Sequence, residues 1–160
     1  MKIILFDLGD TLEHQVGTTH ALIPGAVELL SAVQDMLDRN GDRPALALVS
    51  DFNDSAETYF ELLRNLTIDS FFSPLAERVT LSNEVGVTKP DEKIFRVAIN
   101  KIHNELPFQN VLFVTENKDH IIQARKFGMM TIRIRRGEKE DGEVNSLIEM
   151  IPLIHLFVLT

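Results

Sequence analysis

Cysteine is missing from this chain, which excludes disulfides, thiolate-ligated zinc, iron–sulfur clusters and a cysteine nucleophile. The absence is consistent with a reducing compartment. Tryptophan is missing too, there is one tyrosine, and 16 Lys and Arg face 24 Asp and Glu, for a formal net charge of −8 and a pI near 5.1. Coating a nucleic-acid backbone needs clustered basic residues, so bulk nucleic-acid binding is not expected. No apolar run approaches the ~20 residues that cross a bilayer. The run 3–6 is ended by Asp7, well short of the roughly 7–15 apolar residues of a secretion signal. The expectation is a cytoplasmic protein without a membrane partner, in which the sequons at Asn53-Asp54-Ser55 and Asn65-Leu66-Thr67 are chance matches. Walker and GxGxxG loops are absent, and nothing supports a Ser-His-Asp hydrolase.

What is present is the composition of a globular protein, 44% hydrophobic and 25% charged. At 160 residues it suits a single domain over 1–160. Short apolar runs at 2–6, 45–49, 79–81, 111–114 and 129–134 read as buried strands. Between them lie helical patterns: 25–38 with a stop at Asn40-Gly41, about 54–64, one opened by Pro90 at its first position, and one carrying Ile121, Ile122, Ala124 and Phe127 that ends at Gly128. Ser146 with Glu149 suggests a capping box for a last helix, and residues 156–159 fit either strand or helix. Residues 13–20 read as a short loop. Alternation of this kind implies an α/β fold with a mainly parallel sheet between two helical layers.

Such sheets bind ligands at the carboxyl ends of their strands. Asp7-Leu8-Gly9-Asp10 comes after the first strand, Ser50-Asp51 after the second, Thr88-Lys89 precedes the Pro90 helix, and Thr115-Glu116-Asn117 comes after the 111–114 strand. Each residue alone is an ordinary turn former or cap. Together, carboxylates that can hold a divalent cation, and a hydroxyl and a lysine that can take phosphate oxygens, read as metal-assisted phosphoryl chemistry with a carboxylate nucleophile.

Over nearly its whole length the chain resembles the haloacid dehalogenase (HAD) superfamily. The residues that carry the likeness are Phe6-Asp7-Leu8-Gly9-Asp10-Thr11-Leu12, Leu48-Val49-Ser50, Val85-Gly86-Val87-Thr88-Lys89-Pro90-Asp91 and Phe113-Val114-Thr115-Glu116-Asn117. The resemblance implies a three-layer Rossmann-like core. It makes Asp7 the nucleophile and a Mg2+ ligand, and gives Mg2+ the Gly9 carbonyl and Glu116. Ser50, Asp51 and Lys89 would bind the phosphoryl group of a phosphorylated substrate, either a small molecule or an exposed phosphate on a macromolecule.

Three departures qualify the likeness. Gly9 stands where these phosphatases carry an acid/base Asp, and proton transfer of that kind is worth about 10²–10⁴ in rate. Asp10 is the candidate replacement, although Asp more often stabilises turns. The fourth motif is altered at Thr115-Glu116-Asn117, with Asp119 as a second carboxylate nearby. Finally, 13–20 leaves no room for an inserted cap domain, so a capless member is expected. The expected activity is a magnesium-dependent phosphatase working through an aspartyl-phosphate on Asp7, slowed by Gly9. The alternative is a catalytically impaired scaffold that binds a protein or ligand. His120 reads as a helix-surface residue. The basic group Arg125, Lys126, Arg133, Arg135, Arg136 and Lys139 reads as a solvated loop balanced by Glu138, Glu140 and Asp141.

Overall fold

The computed structural model describes residues 1–135 and 143–160. The chain begins with β1 (Ile3–Phe6), a hairpin of β2 (Glu13–Val16) and β3 (Thr19–Leu22), α1 (Ala26–Gln34), β4 (Ala45–Ser50) and α2 (Ala56–Asn65). After short α3 (Leu75–Arg78) come β5 (Val79–Leu81), α4 (Ser82–Val85), α5 (Glu92–Asn100) and β6 (Val111–Thr115). The remainder is α6 (Lys118–Phe127), β7 (Met130–Ile134), β8 (Glu143–Val144) and α7 (Met150–Leu159).

Six strands pair in the order β5-β4-β1-β6-β7-β8, every pairing parallel. β7 alternates buried Ile132 and Ile134 with half-buried Thr131 and Arg133, but β1, β4, β5 and β6, buried on both faces, are apolar almost throughout. Their side chains still alternate between two cores. Ile4, Phe6, Leu46, Leu48, Leu112 and Val114 pack with the buried faces of α1, α2 and α7. On the other face Ile3, Leu5, Val49, Val111 and Phe113 pack with α5 and with Ala124 of α6. This is the expected α/β/α Rossmann-like arrangement. The chain builds one half of the sheet outward from β1 through β4 and β5, then crosses back to β6. The crevice at such a reversal lies at the carboxyl ends of β1, β4 and β6. None of the helices among the described residues is long and apolar enough to cross a membrane.

Several expected boundaries shift. Residues 13–20 are not a plain loop: they lie within an antiparallel hairpin, Glu13 opposite Leu22, that turns at Gly17 with φ 64°. The first helix ends at Gln34, not near 38, and Leu37 is 49% exposed. Gly41 belongs instead to a turn closed by Asp38, whose Oδ1 accepts the N–H groups of Asn40 at 2.8 Å and Asp42 at 3.0 Å. Pro90 precedes the cap of α5 rather than opening the helix: Asp91 is the cap, its Oδ1 accepting from the N–H of Lys93. The last helix, Met150–Leu159, starts four residues after Ser146, because Glu149 accepts from the Asn145 N–H instead of closing a capping box. Residues 156–159 are helical.

Candidate active site

Asp7 lies just past β1, Ser50 ends β4, Thr115 ends β6, and Lys89 arrives on the loop before α5. Parallel strands bring their carboxyl ends to one edge, and there a cavity of about 320 Å³ is lined by Asp7, Gly9, Ser50, Asp51, Lys89 and Glu116. All the residues expected at the site meet in it except Asp10. That residue is exposed, holds a left-handed backbone at φ 59°, and lines a neighbouring cavity with Glu116, Arg133 and Arg135. Asp is one of the few side chains that tolerate such a turn. Asp119 is exposed in the first turn of α6, where a carboxylate favours the helix dipole.

The Asp7 carboxylate is fixed through both oxygens. Oδ1 accepts from Lys89 Nζ at 2.7 Å and from the Leu8 N–H at 2.9 Å, and Oδ2 accepts from Thr115 Oγ1 at 3.0 Å. The Lys89 side chain is only 3% exposed, and a charge so buried needs its partner. Asp51 acts on the same lysine from behind, its Oδ1 accepting the Lys89 N–H at 2.8 Å. Ser50 Oγ lies 2.6 Å from the hydroxyl of Tyr59, which α2 buries under the site. Burial pushes that phenol well above its ordinary range; the Ser50 hydrogen bond opposes the shift, and the charges of Asp7 and Glu13 add to it.

Glu116 lines the same cavity. Its N–H donates to Thr11 Oγ1 at 3.1 Å and its carbonyl accepts from Arg133 Nε at 2.8 Å. Burial raises its carboxyl pKa, and the charges of Asp7 and Asp10 raise it further against Lys89 and Arg133. Negative charge therefore gathers on this side, and the oxygen donors Asp7, Glu116 and the Gly9 carbonyl suit a hard divalent cation such as Mg2+. Among the described residues no three His, Asp or Glu side chains cluster as a metal site. Two carboxylates and a carbonyl would leave the remaining positions to water, which Mg2+ usually keeps.

Several residues of the site carry little or no signal of their role in the sequence. Thr115 and Tyr59 orient Asp7 and Ser50. Glu13, buried on β2, also lines the cavity, with Oε2 2.9 Å from His20 Nδ1 of β3. His120 is not simply a helix-surface residue: it is half-buried on the cavity wall, and its buried Nδ1 has no hydrogen-bond partner among the described residues. Burial, then the Lys89 charge, lowers its pKa. A lone tyrosine in a polar-faced helix was the one available signal for Tyr59; the hairpin residues had none. In the basic group, Arg133 pairs with Glu143 at 2.7 Å and Arg125 donates to Thr131 at 2.7 Å. Arg136, Lys139, Glu138, Glu140 and Asp141 lie outside the described residues.

No family model matches the chain. A stretch of 85 residues, 52% of the chain, is 36% identical to glyceraldehyde 3-phosphate phosphatase from Methanopyrus kandleri and covers 34% of that protein. A HAD-superfamily hydrolase from Ehrlichia chaffeensis superposes with a TM-score of 0.74 at 16% identity, over 99% of both chains. A Bacillus subtilis protein described as a HAD-hydrolase bound to magnesium gives a TM-score of 0.65 at 19% identity, over 83% of this chain and 56% of that one. The chain has the fold of the HAD-like hydrolases, as its motifs imply. It spans about a third of the curated phosphatase and little more than half of the Bacillus protein.

Proposed function

We propose that this chain is a phosphatase that acts through an aspartyl-phosphate on Asp7, with Mg2+ as cofactor and a phosphate monoester as substrate. The observation that carries the reading is the buried Asp7–Lys89 pair at the switch point of the sheet, with Ser50 and Glu116 on the walls of the same cavity. The partial likeness to a glyceraldehyde 3-phosphate phosphatase supports a phosphate ester as substrate.

Lys89 and Thr115 hold the Asp7 carboxylate in one orientation, so little freedom remains to be lost when it meets phosphorus. The Lys89 ammonium also offsets the charge that phosphoryl oxygens bring into a buried site. The hydrogen bond to Tyr59 holds the Ser50 hydroxyl on the cavity wall, where a phosphoryl oxygen would meet it. Mg2+, held by Asp7, the Gly9 carbonyl and Glu116, would lessen the repulsion between carboxylate and phosphate.

The test is turnover of a panel of phosphate esters in the presence of Mg2+, wild type against Asp7→Asn. We expect a fall of roughly 10³-fold or more, as for loss of a nucleophile; equal rates would end the reading. Removing the Asp7 charge leaves Lys89 buried and unpaired, a defect of about 3–5 kcal/mol, so circular dichroism must accompany the assay. A second reading, the impaired binding scaffold, is favoured by Gly9 and by the altered motif Thr115-Glu116-Asn117. Titration with Mg2+ and beryllofluoride separates the two: a competent site forms a metal-dependent mimic of the phosphorylated aspartate, and a scaffold does not.

A further inference from the structure

The aspartyl-phosphate chemistry requires a proton to be given to the leaving oxygen and another to be taken from water, and Gly9 can do neither. Asp10 faces the neighbouring cavity. Of the other carboxylates on the wall of the Asp7 cavity, Asp51 is engaged with the Lys89 N–H and Glu116 is a proposed cation ligand, which leaves Glu13.

Glu13 is bound by its backbone to the loop after Asp7. Its N–H donates to the Leu8 carbonyl at 3.1 Å, its carbonyl accepts from the Asp10 N–H at 2.7 Å, and it forms a β-bridge with Gly9. Its side chain is only 8% exposed and lines the Asp7 cavity. A β-carbon built on Gly9 would have one heavy atom within 4 Å outside its chain neighbours, Glu13 Oε1 at 3.8 Å. Position 9 has no left-handed backbone that would demand glycine. The space beside the missing aspartate is thus occupied by a carboxyl group that reaches it from β2. The two oxygens differ: Oε2 is held 2.9 Å from His20 Nδ1, and Oε1 has no hydrogen-bond partner among the described residues.

The geometry points to Glu13 as the general acid and base of this site, supplying from the hairpin the carboxyl group that position 9 lacks; this rests on the aspartyl-phosphate chemistry proposed for Asp7. In the first step an Asp7 oxygen bonds to phosphorus as the ester P–O bond breaks. The leaving oxygen takes the bond's electron pair and the proton of Glu13 Oε1, and departs as the alcohol. In the second step the Glu13 carboxylate takes a proton from water as the water oxygen bonds to phosphorus. The P–O bond to Asp7 breaks, restoring the Asp7 carboxylate and a protonated Glu13 and releasing phosphate. His20, whose Nδ1 lies 2.9 Å from Oε2, is a positioning residue that leaves Oε1 to the substrate.

The test compares kcat/KM, which reports the first step, for a simple alkyl phosphate and for p-nitrophenyl phosphate, whose leaving group needs little protonation. In Glu13→Gln we expect a loss of about 10²-fold or more on the alkyl ester and less than about tenfold on the aryl ester. Adding Gly9→Asp to that variant should restore the alkyl rate, while Gly9→Asp alone should raise the wild type by less than about tenfold, because the two carboxyl groups serve one role. Equal losses on both esters, or a gain of about 10²-fold from Gly9→Asp alone, would overturn the assignment. Should Glu13→Gln not fold, the single Gly9→Asp variant decides by itself. Failure of the underlying reading has a different signature: Asp7→Asn keeps its activity on both esters, and the Glu13 assignment falls with it.

Discussion

Asp7 is held by Lys89, Thr115 and the Leu8 N–H before any substrate arrives, and Ser50 is held by Tyr59. The tyrosine can be tested alone because the chain has one tyrosine and no tryptophan. Tyr59→Phe removes the partner of a buried hydroxyl and should cost about 1–2 kcal/mol near neutral pH, read from urea unfolding. Its pKa is raised above the ordinary 10.0 in the folded state. The stability tied to its protonated form is therefore complete below pH 10 and is lost as pH climbs above it. The advantage of wild type over Tyr59→Phe should shrink above about pH 10, and tyrosinate absorbance should stay flat until the chain unfolds. At this scale the sequence shows Asp7, Ser50, Lys89 and Glu116, because each sits just past an apolar strand or in a recognisable motif. It hides Glu13 and His20, which reach the site only through a hairpin, and it leaves Asp10 beside Gly9 looking like the nearer acid.

Helices and strands were legible where apolar spacing was strong and less so where side-chain hydrogen bonds set the boundary. Gly128 ends α6 at φ 100°, as its place after Phe127 suggests. The Asp38 turn is the counter-example: an apolar pattern carries on to Leu37, but the backbone leaves the helix at Asp35 and closes on a carboxylate. The N–H groups of Asp42 and then Asn40 hold the Asp38 pKa below its ordinary 3.8. Such a group stabilises the fold above that value and loses its effect as pH falls through the lowered one. Asp38→Ala should therefore lower Tm at neutral pH, with the gap narrowing below about pH 4. A gap independent of pH would mean that the carboxylate does not close this turn.

Across the whole molecule, one sheet carries both the stability and the site. Phe113 is fully buried on β6 and meets Phe95 of α5 edge-on at a centroid distance of 5.0 Å. Two residues further along the same strand, Thr115 holds Asp7. Phe113→Ala should cost about 3–5 kcal/mol, a large part of the 5–15 kcal/mol typical of a folded protein, and should move the urea midpoint without changing the m-value. The order of the main strands and helices, though not the β2–β3 hairpin, the parallel sheet and the carboxylates and lysine at its edge could be derived from residue order alone. Burial on both faces requires apolar runs, and parallel strands must gather at one edge the residues just past their carboxyl ends. The company each reactive group keeps could not be derived that way. Whether Asp10 or Glu13 stands beside Gly9 depends on a left-handed turn and a hairpin register, and those arise from hydrogen bonds between segments whose spacing along the chain carries no periodic signal.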